Sequence, residues 1–218
     1  MSNLLFKYAT RGRPEWFRQT LCGYLDNLSG RHNAEFRISI DEDDLSMNNP
    51  DMLKWMADKG ASVYVGPAGR TKIQAINADM EGADFDILVC VSDDMEVKEK
   101  GFDDIIVQDM QRFPDGPGAL HYNDGKHGKD MLITLSVMNK ALYDRFGYIY
   151  CPAYESVWCD NEFTDIAKMM DCYWYSPRVI IEHNWMKHGS DEVYRKNAPQ
   201  FCRDKEVYLN RKKNNFGL

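Results

Sequence analysis

The rhythm of the first half of the chain limits its possible folds more than any single motif. Four times in succession, a short run rich in β-branched and aromatic residues precedes a stretch with apolar residues at helical spacing. NLLFKYA leads into PEWFRQTLCGYLDNL, EFRISI into NPDMLKWMADKG, ASVYVG into TKIQAINADMEG, and FDILVCV into GFDDIIVQDMQRF. Strand-then-helix units in series build a mainly parallel sheet covered by helices on both faces. The expected class is therefore α/β, a Rossmann-like central sheet flanked by helices.

The second half breaks this rhythm. GALHYND and MLITLSVM read as two consecutive strands around the turn-rich DGKHGKD. KALYDRFGY and DNEFTDIAKMMDC read as helices, and YWYSPRVIIEHNW as a final strand. Consecutive strands predict an antiparallel segment, so the sheet is expected to be mixed. No Pro/Gly/Ser-rich linker separates the halves. At 218 residues, 44% of them hydrophobic, the expectation is one domain over residues 1–218. Within it, about 1–97 forms a ligand-binding half, about 98–190 a second lobe and 191–218 a C-terminal extension.

No window approaches the roughly 20 apolar residues of a membrane span. Six scattered cysteines without a CxxC pair argue against a disulfide framework or zinc knuckle. Together these lead to the expectation of a soluble, cytoplasmic protein. A formal charge of −7 weighs against broad nucleic-acid binding. The basic tail RKKNNFGL reads as a solvated end.

In open α/β sheets, ligands bind beyond the carboxyl ends of the strands. The residues just after the first four strands are Thr10-Arg11-Gly12-Arg13, Asp41-Glu42-Asp43-Asp44, Gly66-Pro67-Ala68-Gly69-Arg70 and Ser92-Asp93-Asp94. They are expected to converge on one rim. Arginines, small residues and carboxylates together suit an anionic ligand bridged by a metal.

CVSDDMEV is the strongest local signal. Adjacent carboxylates directly after the most apolar strand are costly unless something positive meets them. Mg²⁺ or Mn²⁺ uses carboxylate oxygens together with substrate phosphates; the plainer alternative is a turn cap with both acids solvated. Asp41 ends its strand where it can accept from a base or a ribose hydroxyl. Arg11 and Arg13 suit phosphate, and Pro14 starts a helix. Lys72, with Arg70, lies at a helix start, where an anion gains from dipole and cation; Asn77 shares that helix. Asp160 and Glu162 lie near another helix start, as a cap or as a general base, with Trp158 as a possible stacking wall. His183 ends a strand, as a structural residue, a metal ligand or a phosphate donor. His121 and His127 read as loop residues, and Lys187 and His188 follow His183 closely enough to reach a phosphate.

The ordered set of TRGRP, ISIDEDD, KIQAIN, ILVCVSDDMEV with GFDDII, CDNEF and IEHNW resembles the GT-A fold glycosyltransferases, particularly small family 2-like enzymes. The resemblance spans about residues 3 to 188. It implies a nucleotide-sugar donor, UDP- or GDP-linked, a Mn²⁺ or Mg²⁺ ion, and a hydroxyl acceptor on a glycan or glycoconjugate. Ser92-Asp93-Asp94 resembles the DxD motif, with Asp94 on the metal and Asp93 toward sugar or ribose. It implies that Asp41 holds base or ribose, Thr10 and Arg11 line the nucleotide pocket, and Lys72 and Asn77 face the donor. It implies Asp160 as the base of an inverting transfer, and His183 near metal or diphosphate.

The chain departs from the pattern at Ser92, where the first Asp of DxD is replaced, and at Cys159, where the family often has Glu. The QxxRW signature of processive synthases is absent. Three other readings share some of these features: a sugar-nucleotide-forming nucleotidyltransferase, a glycosyltransferase acting on a modified base in nucleic acid, and a non-catalytic nucleotide-sugar-binding module.

Overall fold

The computed structural model describes residues 1–184 and 199–218; Lys187, His188 and the expected boundary near residue 190 lie outside the described residues. Seven strands form the main sheet: β1 (Asn3–Ala9), β2 (Asn33–Asp41), β3 (Ser62–Gly66), β4 (Ile87–Val91), β6 (Ala119–Tyr122), β7 (Val137–Asn139) and β8 (Tyr173–Ser176). Their order is β3-β2-β1-β4-β7-β6-β8. The four strands β3, β2, β1 and β4 are mutually parallel, and β7 runs antiparallel to both β4 and β6. Strand β6 pairs parallel with β8. The mixed sheet expected from the sequence is thus produced by one reversed strand.

The helices are α1 (Pro14–Asn27), α2 (Pro50–Asp58), α3 (Lys72–Asn77), α4 (Phe102–Met110), α5 (Lys140–Phe146), α6 (Cys159–Met169) and α7 (Gln200–Lys213). Strand alternation sends β1 residues Leu4, Phe6 and Tyr8 into the core with α1, α2 and α4. Leu5, on the other face, joins the core with α3, α5, α6 and α7. Strand β4 is buried along all five positions, which explains why its sequence is continuously apolar rather than alternating. Local chemistry starts the helices: Pro14 in the first turn of α1, the Asn49 side chain accepting from Met52 N, and a Thr71/Gln74 capping box on α3.

Three expectations are corrected. Of MLITLSVM only the last residues enter the sheet, as β7. Upstream, Ile133 N donates to Thr164 Oγ1 and Thr134 Oγ1 to Asp124, so side chains take the place of a strand ladder. YWYSPRVIIEHNW is two strands, because Pro177 supplies no N–H to a ladder. After it the chain leaves β8 and forms β9 (Ile181–His183), antiparallel to β5 (Met95–Val97) in a separate two-stranded sheet. The tail after Arg211 is not a solvated end. Arg211 makes a bidentate pair with Glu162 and donates to Phe216 O, and Phe216 itself is buried.

Lys7 is the anomaly of the central strand. Its side chain is fully buried on the α3 side and Nζ makes no hydrogen bond among the described residues. Burial drives its pKa down to about 8. Between about pH 8 and 10.5 the unfolded chain keeps a proton that the folded chain has lost, so stability rises with pH in that window. Below it the full penalty is present, about 3 kcal/mol at most. Lys7→Met is therefore expected to raise the urea midpoint at pH 7 and to bring a much smaller gain at pH 10. Equal gains at both pH values contradict this account.

Candidate active site

The carboxyl ends of β1, β2, β3 and β4 open into a cleft of about 1200 Å³. Thr10, Arg11, Arg13, Asp41, Arg70, Lys72, Ser92, Asp93, Asp94, Asp160 and His183 all line it. Of the site residues expected from the sequence, Asn77, Glu162 and the possible stacking wall Trp158 do not.

Asp93 and Asp94 are both buried, each about 6% exposed, and each is met by a different partner. Asp93 accepts from Arg13 Nη1 at 2.7 Å and from Thr10 Oγ1 at 2.9 Å. Burial raises its pKa against the pull of Arg13, and the neighbouring Asp94 adds to the rise. Asp94 accepts from Ser92 Oγ, and its Oδ1 lies 3.5 Å from His183 Nε2. Its main-chain oxygen accepts from Asn184 N, which ties the SDD turn to the end of β9.

Asp41 is committed rather than open. Its Oδ1 accepts from Arg70 Nε and Nη2 at 2.8 and 2.6 Å, and its Oδ2 from Arg11 Nη1 at 2.7 Å. Arg11 also forms a bidentate pair with Asp43, and these carboxylates hold its pKa above the ordinary arginine value, Asp43 most of all. Arg70 reaches Ser39 Oγ and Ile40 O as well. A side chain at Gly66 would meet the Arg70 guanidinium at 2.2 Å, so only glycine lets Arg70 lie across the end of β3. Gly12, in the left-handed region, donates its amide to Asp44 Oδ2 at 2.7 Å.

Two of the expected site residues serve the scaffold. Asn77 holds the chain after α5, its Oδ1 accepting from Ile149 N and Tyr150 N and its Nδ2 donating to Tyr150 O. Glu162, two residues after Asp160, points to the other side of α6, about 200° away at 3.6 residues per turn. There it is buried between Arg211 and Tyr154 Oη. Trp158 also turns from the cleft, packing against Phe201 and Tyr208 of α7.

Asp160 remains in the cleft, half-buried in the first turn of α6, with Oδ1 accepting from Asn161 N. Desolvation raises its pKa, opposed by the positive field of Lys72. Lys72 is exposed and makes no ion pair among the described residues. Among the described residues, the cleft wall carries four cations, Arg11, Arg13, Arg70 and Lys72, against seven carboxylates, Asp41, Asp43, Asp44, Asp93, Asp94, Glu155 and Asp160.

Two features of the wall escaped the sequence reading. His127 lines the cleft, with Nδ1 2.6 Å from Asp124 Oδ2; the signal was the D-x-x-H spacing in a turn whose Asp also caps the His amide. The second is the clamp on the loop before α6. Asp204 of α7 is fully buried and accepts from the amides of Glu155, Ser156 and Val157. Its signal lay beyond the resemblance, in the C-terminal helix.

A divalent ion fits the Asp94–His183 pair. The 3.5 Å between Oδ1 and Nε2 is close to the roughly 3 Å between neighbouring ligands of an octahedral ion at about 2.1 Å. His183 Nδ1 is buried and makes no hydrogen bond among the described residues. No third His, Cys, Asp or Glu among the described residues joins the pair.

Comparison with known proteins supports this frame through structure alone. No protein-family model matches the chain. No curated protein matches it either. A mannosyltransferase from Pyrobaculum calidifontis, solved with GDP-Man and Mn²⁺, superposes with a TM-score of 0.65 at 14% identity, covering 86% of this chain and 58% of that one. S. aureus TarS superposes with a TM-score of 0.59 at 11% identity, covering 84% of this chain and 37% of TarS. Both are GT-A-like glycosyltransferases. The fold is GT-A. A cytidylyltransferase from Leptospira borgpetersenii matches less well, with a TM-score of 0.52 at 12% identity over 81% of this chain and 75% of that one. The chain spans well under two thirds of the length of the two glycosyltransferases. No helix among the described residues is long and apolar enough to cross a membrane.

Because Asp204 is the buried acceptor for three loop amides, Asp204→Ala leaves donors without partners at about 1–3 kcal/mol each. The expected result is a loss of about 3 kcal/mol or more in urea unfolding. Amide exchange at residues 155–157 is expected to quicken more than elsewhere in the core. A rise confined to α7 would instead mean that Asp204 stabilises that helix alone.

Proposed function

We propose that this chain is a metal-dependent glycosyltransferase that moves a sugar from a UDP- or GDP-sugar to a hydroxyl acceptor with inversion. The observation that carries this reading is the charge arrangement of the cleft. Its arginines among the described residues are already bound to its own aspartates, and among those residues carboxylates outnumber cations. A nucleoside diphosphate, itself an anion, is repelled by such a site unless a divalent cation comes with it. Asp94 and His183 are the pair that would hold that cation, and the likeness to a mannosyltransferase solved with GDP-Man and Mn²⁺ supports the pairing of nucleotide-sugar and metal. When bound, the ion supplies positive charge to the departing diphosphate.

The chain's own residues do the rest. Lys72 offers an uncommitted ammonium to the phosphates at the start of α3. Arg11 and Arg70 fix Asp41, which keeps one lone pair of Oδ2 for a ribose or base donor. Asp93, fixed by Thr10 and Arg13, shapes the pocket beside Asp94. Asp160 accepts the acceptor's proton as the hydroxyl oxygen bonds to the anomeric carbon and that carbon's bond to the diphosphate oxygen breaks. Its raised pKa makes it a stronger base than an exposed aspartate. Attack from the face opposite the leaving group inverts the anomeric centre.

The nucleotidyltransferase reading is weaker on local grounds. It needs a row of free amides after β1 to cradle phosphates, and here Gly12 N is already bound to Asp44.

A thermal-shift screen of UDP- and GDP-sugars with and without Mn²⁺ tests the pairing directly. Stabilisation is expected only when both are present, and a donor that binds equally well in EDTA removes the metal from the reading. Asp94→Ala is expected to abolish metal-dependent donor hydrolysis. Asp160→Asn is expected to leave donor binding intact and to slow transfer by about 10² or more. Unimpaired transfer in Asp160→Asn excludes it as the base.

A further inference from the structure

The turn between β6 and β7 holds a histidine that none of the donor chemistry uses. Asp124 anchors it. This carboxylate is buried, and it accepts from Lys126 N at 2.8 Å, His127 N at 2.6 Å, His127 Nδ1 at 2.6 Å and Thr134 Oγ1 at 2.5 Å. Burial alone would raise its pKa; the bonds from Thr134 and His127 outweigh that and hold it below the ordinary value. The carboxylate fixes the orientation of the imidazole, with Nδ1 turned toward it. The main-chain oxygen of Asp124 accepts from His183 N, so the turn is pinned to the strand that carries His183. Gly125 lies in the left-handed region, where an added Cβ would press on Glu182 at 3.1 Å; this lets the turn seat against β9.

The ring then presents Nε2 with no hydrogen-bond partner among the described residues. Its side chain is 19% exposed and lines the cleft with Leu132 and Thr134. A carboxylate that orients an imidazole whose far nitrogen is open is the arrangement by which proteins fix a hydrogen bond to a hydroxyl. Ser156 Oγ, on the same cleft, is also buried without a hydrogen-bond partner among the described residues. Both atoms can bond to hydroxyls. An anion at this wall would face the Asp124 carboxylate behind the imidazole and the excess of carboxylates among the described residues of the cleft.

We propose that His127, held by Asp124, binds a hydroxyl of an uncharged carbohydrate acceptor in this cleft. This rests on the glycosyl-transfer reading and narrows its acceptor to a neutral glycoside rather than a phosphorylated or carboxylated one. His127 positions the acceptor, and Asp160 remains the base.

The test uses the full chain labelled with ¹⁵N-histidine and a panel of methyl glucoside, galactoside, mannoside and N-acetylglucosaminide, with methyl glucuronide as the charged arm. The His127 Nε2 resonance is expected to move with at least one neutral glycoside and not with the glucuronide. With the glycoside that moves it as acceptor, His127→Ala is expected to raise the acceptor KM about tenfold, the scale of one hydrogen bond. Donor KM and metal-dependent donor hydrolysis in water are expected to be unchanged, and His127→Gln to restore part of the loss. No movement with any neutral glycoside, movement with glucuronide alone, or an unchanged acceptor KM in His127→Ala overturns the proposal. Neutral glycosides that move His127 in a wild-type protein that hydrolyses no donor overturn the transfer reading and leave the carbohydrate site standing.

Discussion

Everything at the ligand edge depends on how two adjacent aspartates are buried where β4 ends. Desolvation and mutual repulsion both oppose charge on Asp93 and Asp94, so the pair is tolerable only if partners converge from elsewhere. They come from opposite directions. Asp93 draws in Thr10 and Arg13 from the loop after β1, while the Asp94 carboxylate draws in Ser92 and His183, and its main-chain oxygen accepts from Asn184 N. The SDD turn therefore fastens the β1 loop on one side and the β5–β9 ribbon on the other. The same electrostatic problem repeats two strands away, at the end of β2, where Arg11 and Arg70 close on Asp41.

This ion-paired edge is rigid before any ligand arrives. Arg70 spends four of its five N–H groups on β2, and Gly66 is the residue that leaves room for it. Such a wall orients its carboxylates with little residual freedom, which is what preorganisation demands. It also means that the arginines are largely neutralised by their own framework. Their number in the sequence overstates how much positive charge an incoming phosphate meets.

Much of this was legible in the sequence because it follows from period and position. The four β-α units, the convergence of their strand ends, and the need for a positive partner beside Asp93 and Asp94 all stand in the structure. The directions of Asn77, Glu162 and Trp158 were not legible. Each sits near a cleft residue in sequence, but which side of a short helix or turn it occupies depends on Tyr150, Arg211 and α7, far along the chain. Arg11 and Arg70 looked available for phosphate because sequence shows the charge of a residue and not its partner. His127 looked like a loop residue because its role depends on Asp124 bending the turn back on itself.

The second wall of the cleft is organised from a different source. The loop 155–157 carries Ser156 toward the cleft and runs straight into Trp158, the left-handed residue that starts α6 and so sets where Asp160 lies. Three of that loop's amides end on Asp204, and Glu162 in the next turn ends on Arg211. Both anchors belong to α7, so the helix after the resemblance ends is what fixes the height of α6 and the aim of Asp160. The donor side is thus built by ion pairs among strand ends, and the opposite side by two buried anchors from the C-terminal helix. A change in α7 is therefore expected to act on Asp160 and the acceptor wall while leaving the strand-end aspartates in place.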